Sequence, residues 1–161
     1  MMPLSIILPD DAEELNKSLT KSYHDTANAI NGSQSTWTPT VEGSTTSGIG
    51  TYTTQTGYYY RQGLLCDCWF SVTMTAHTGT GDMQIKLPFK IKRSADVWVG
   101  SVIASNLTYP SGTSVSLLGT NNTYFVKIIG TGSGIASATV KMTDATCTLT
   151  GHIRFVGQAE K

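Results

Sequence analysis

The segment Leu64-Leu65-Cys66-Asp67-Cys68-Trp69-Phe70-Ser71-Val72-Thr73-Met74-Thr75-Ala76-His77 alternates apolar and polar residues with a period of two. Leu64, Cys66, Cys68, Phe70, Val72, Met74 and Ala76 fall on one face; Asp67, Ser71, Thr73, Thr75 and His77 fall on the other. This is the pattern of a half-buried β-strand. Leu65 and Trp69 break it, standing on the polar face, where large apolar side chains serve a subunit contact.

Similar short runs recur at Gly50–Arg61, Met83–Ile91, Val97–Ala104, Ser114–Leu118, Thr123–Ile129, Ser137–Thr143 and Thr146–Val156, separated by Gly, Asn, Pro or Ser. Pro88 has no N–H for a ladder, so it marks an edge, a bulge or a break in its run. About eight strands with turn signals between them predict a mainly β protein, a jelly-roll-like antiparallel β-sandwich. Ser33–Thr36 is the one linker candidate.

The N-terminal part differs. Asp10-Asp11-Ala12-Glu13 reads as a capping box, and Leu15, Leu19, Tyr23, Ala27 and Ile30 then recur as a narrow stripe, with Asn31-Gly32 closing the helix. Such a stripe either lies on its own sheet or meets copies of itself. Its narrowness favours a small parallel bundle. Two units result: residues 1–34, an N-terminal helical segment suited to self-association, and residues 35–161, the β-sandwich domain.

The chain has 161 residues, 11 basic and 11 acidic side chains, and only 14% charged residues. Ser and Thr make up roughly a quarter of it. Zero net charge argues against nucleic-acid binding and a polybasic membrane anchor. No apolar run approaches the ~20 residues of a membrane span, and Met1–Leu8 has no positive charge before its apolar residues, so no secretory signal is expected. Three cysteines give no disulfide framework, and Cys66 and Cys68 share a strand face, so buried free thiols are expected.

Few groups offer chemistry. The acids of the β region form no motif of paired carboxylates. Gly130-Thr131-Gly132-Ser133-Gly134 has the look of a nucleophile elbow but lies between two strands, where a hairpin explains it. His77-Thr78-Gly79-Thr80-Gly81-Asp82 is likewise explained by a tight turn. Lys86, Lys90, Lys92 and Arg93 read as a solvated strand face rather than a nucleic-acid stripe. Trp98 and Tyr109 flank loops and are the candidate ligand contacts, since exposed rings stack on flat partners.

Several motifs together resemble a β-domain common in bacteriophage tail-fibre and other virion proteins. They begin with Trp37-Thr38-Pro39-Thr40-Val41, Gly50-Thr51-Tyr52, Gln55-Thr56-Gly57 and Tyr60. Gln62-Gly63-Leu64, Thr78-Gly79-Thr80-Gly81-Asp82 and Leu87-Pro88-Phe89 continue the likeness, and Tyr109-Pro110-Ser111-Gly112, Asn122-Thr123-Tyr124 and Gly151-His152-Ile153-Arg154-Phe155 complete it. The resemblance implies a homotrimeric virion structural protein, a tail or head fibre, with other virion proteins and host surface polysaccharide as partners. It brings no catalytic motif, cofactor or metal, and it implies assembly in the host cytoplasm. The expected trimer contacts are Leu15, Leu19, Tyr23, Ile30, Leu65 and Trp69. The alternative, from a different class, is a monomeric carbohydrate-binding module or lectin.

Overall fold

The computed structural model describes residues 13–23, 32–92, 96–143 and 146–158. Residues 13–23 form a helix, α1. Ten strands follow: β1 (Ser33–Trp37), β2 (Thr40–Gly43), β3 (Gly50–Gln62), β4 (Leu65–His77), β5 (Met83–Lys86), β6 (Val99–Ser105), β7 (Ser114–Gly119), β8 (Phe125–Gly132), β9 (Ile135–Thr139) and β10 (Cys147–Val156). All pairings are antiparallel. One continuous path, β1-β3-β4-β10-β6-β7-β8-β5-β2, joins nine strands, and β9 branches from β8.

The alternation in β4 sets the inside of this curled sheet. Cys66, Cys68, Phe70, Val72 and Met74 are buried, as are Leu149, Ile153 and Phe155 of the neighbouring β10. Leu117, Val126, Ile128, Met83, Ile85 and Val41 close the same core from β7, β8, β5 and β2. The three cysteines are buried and free, and burial pushes the Cys68 thiol up, so it stays protonated and inert. Gly57 on β3 leaves room for Trp37, whose indole would lie 2.5 Å from an added Cβ.

β2, the last strand of the path, meets β3 and β4 near the other end through side chains rather than a ladder. The Tyr52 hydroxyl on β3 accepts from the Val41 N–H at 3.0 Å and donates to its carbonyl at 3.3 Å. His77 Nε2 donates to the same carbonyl at 2.8 Å, while Nδ1 accepts from the Gly79 N–H at 2.7 Å. Gln55 Nε2 donates to the Pro39 carbonyl at 2.9 Å. The curl thereby satisfies backbone groups that an edge strand leaves open.

Three details differ from the sequence reading. Ser33–Thr36 is no linker but most of β1, because its residues pair with Tyr58–Arg61 of β3. β5 stops at Lys86, before Pro88; Leu87 and Ile91 still enter the core but bond to Tyr124 and Thr123 from a loop. Ten strands among the described residues replace about eight, since β1 and β2 are too short and too polar to show as alternating runs. The capping box up to Ala12, together with Ala27 and Ile30, lies outside the described residues.

Candidate functional site

Register places one row of side chains across the outer face of the sheet. Thr36 pairs with Tyr58, Tyr58 with Trp69, Trp69 with His152, and His152 with Ser101. Paired residues on antiparallel strands share a face, and at about 4.8 Å per strand the row spans about 19 Å. Tyr58 is 53% exposed and Trp69 44%. The Trp69 and His152 rings stack, with centroids 4.8 Å apart and planes 24° from parallel.

Hydroxyl pairs flank the row. Ser71 Oγ lies 3.1 Å from Thr150 Oγ1, and Thr73 Oγ1 lies 3.2 Å from Thr148 Oγ1. On the other side, Asp67 is only 4% exposed although it points outward. Arg154 covers it with a fork: Nε donates at 2.8 and 3.0 Å and Nη2 at 2.8 Å, and His152 Nε2 adds a bond at 3.1 Å. The Arg154 bonds, helped by His152, hold the Asp67 carboxyl below its usual range against the opposing effect of burial. Carboxylate and guanidinium therefore cancel at the surface. A pocket of about 280 Å³ opens at the β1 end, lined by Thr36, Trp37, Thr38, Gln55, Thr56 and Tyr58 among others.

The sequence candidates scatter over three places. Leu65 and Trp69 lie on this outer face, 37% and 44% exposed. Leu15, Leu19 and Tyr23 lie on α1, 62%, 61% and 74% exposed, and every described residue of the helix is exposed. Ile30 lies outside the described residues. Trp98 is half-buried, packed on the core's margin beside Gly119 and Ile91, with Nε1 buried and unbonded. Tyr109 is 38% exposed beyond the other end of β6. Trp98 and Tyr109 flank opposite ends of that seven-residue strand, about 20 Å of chain, so they form no common site.

Sequence reading missed Tyr58, His152 and Arg154 as site residues. Their parity on β3 and β10 was legible, but only the register between strands distant in sequence brings them beside Trp69 and Asp67.

Asp82 accepts from Lys127 Nζ at 3.1 Å, Lys141 Nζ at 2.5 Å and Thr139 Oγ1 at 2.8 Å, which draws its carboxyl down to about 2. It clasps β8, β9 and the segment after β9. The Gly-rich 130–134 stretch is the β8–β9 hairpin, with Gly134 at φ 69°. Lys86 lies 3.8 Å from Glu42; Lys90 and Lys92 lie beyond β5, and Arg93 is outside the described residues. Among the described residues no group of three His, Cys, Asp or Glu could hold a metal, and no helix is long and apolar enough to cross a membrane.

No family model matches this sequence, and no curated protein matches it either. Among solved structures, the fold is similar to that of the Dettilon tailspike protein, with a TM-score of 0.54 and 18% sequence identity. The match covers 76% of this chain and 23% of the tailspike chain, so this chain spans about a quarter of that protein's length.

Proposed function

We propose that this chain is a phage virion structural protein, a tail or head fibre or tailspike component, working as a homotrimer. In this reading α1 forms the central bundle, the jelly-roll-like β-domains surround it, and the N-terminal part joins the trimer to other virion proteins. The observation that carries the reading is the apolar pair Leu15 and Leu19, 62% and 61% exposed on one stripe of a helix whose described residues are all exposed. Such a stripe is stable in water only against a partner. The likeness to the Dettilon tailspike protein supports the virion assignment, and with it a place on the particle.

A structural role fits better than an enzymatic one. Glu42, Asp67 and Asp82 are each engaged by a cation, which leaves none of these three poised as a general acid or base. Host surface polysaccharide is the partner at the outer end. The test of assembly is the mass in solution: light scattering at micromolar concentration gives three times the 17.2 kDa chain mass. A clean monomer overturns this reading and leaves a monomeric lectin.

A further inference from the structure

The outer row joins a polar pocket to three adjacent rings, and its surroundings say what covers it. Interface centres between proteins are depleted of charged residues, yet Asp67 and Arg154 stand beside Trp69 in the middle of this face. Flanking positions carry hydroxyls, and the pocket at the end of the row offers Thr36, Thr38 and Thr56 hydroxyls with the Gln55 amide beside the Trp37 and Tyr58 rings. A partner rich in hydroxyls and with flat apolar ring faces matches this chemistry. Because Asp67 cancels Arg154, the described residues of this face leave no free cation to hold an anionic chain.

We propose that the track from the β1–β3 pocket across Tyr58, Trp69 and His152 binds a linear, uncharged polysaccharide lying across the strands. The proposal rests on reading the protein as a fibre component that meets host polysaccharide. It moves the contact away from Trp98 and Tyr109 and takes Trp69 out of the protomer contact. The row's span of about 19 Å accommodates several sugar residues end to end.

The test is calorimetric titration of the full chain with linear neutral hexasaccharides of the glucan, mannan and galactan series, and with an oligogalacturonate of equal length. At least one neutral chain is expected to bind, and the uronate about tenfold more weakly or not at all. Trp69→Ala and Tyr58→Ala should each weaken binding about tenfold, the usual scale for losing one stacked ring, while Trp69→Phe recovers most of it. Trp98→Ala and Tyr109→Ala should leave it unchanged. No binding by any neutral chain, a preference for the uronate, or full affinity in Trp69→Ala overturns the proposal. Light scattering on the same samples separates the two readings. A drop in particle mass in Trp69→Ala shows that the face is a contact between copies and overturns the glycan track. A monomeric wild type that still binds sugar overturns the trimer and leaves the track standing.

Discussion

Tyr52 does at one residue what a ladder does elsewhere in the sheet. Its hydroxyl serves both the N–H and the carbonyl of Val41, and burial raises its pKa above the ordinary phenol value, so it remains a donor at neutral pH. Tyr52→Phe removes both bonds and leaves a buried N–H open, at a cost of about 1–3 kcal/mol. A lower urea midpoint with an unchanged slope checks this. Asp82 makes a second residue-scale prediction. Its folded carboxyl sits near 2, below the 3.8 of a free side chain, so its contribution is complete above about 4 and is lost as pH falls towards 2. With Lys141 largely exposed, that contribution is about 1–2 kcal/mol. Asp82→Asn should therefore flatten the loss of stability between pH 4 and 2, measured by thermal melts across that range.

At the scale of elements, strands and helix differ in what holds them. β4 lies between β3 and β10 and is legible in sequence, because only Leu65 and Trp69 interrupt the alternation along its thirteen residues. Ser33–Thr36 suggests a linker in sequence because these four polar residues carry no alternating signal; only pairing with the Tyr58–Arg61 stretch makes them part of a strand. The 83–91 run shows the converse, its alternation continuing past Lys86 into a loop whose apolar side chains still reach the core. α1 is exposed along all of its described residues, so burial does not hold it. A Glu13–Lys17 pair at 2.8 Å adds only a few tenths of a kcal/mol. Leu19→Asp should accordingly dissociate the assembly while the far-ultraviolet signature of β structure stays intact. Loss of that signature in this variant would show instead that the helix belongs to the domain's core.

For the molecule as a whole, the composition and the fold agree. Ser71, Thr73, Thr148 and Thr150 stand on the outer faces of β4 and β10 and pair hydroxyl to hydroxyl across the strands, while two clasps around Asp67 and Asp82 take up five of the charged side chains. A surface of this kind is polar without being charged. The outer row eluded sequence reading for a related reason: Tyr58, Trp69 and His152 are separated by up to 94 positions in the chain, and only the antiparallel register of three strands aligns them. The central claim, that the exposed stripe of α1 gathers copies of this chain, is tested most directly by multi-angle light scattering of the full chain at micromolar concentration. The account predicts a single species of three times the 17.2 kDa chain mass. A single species at the chain mass itself would contradict it.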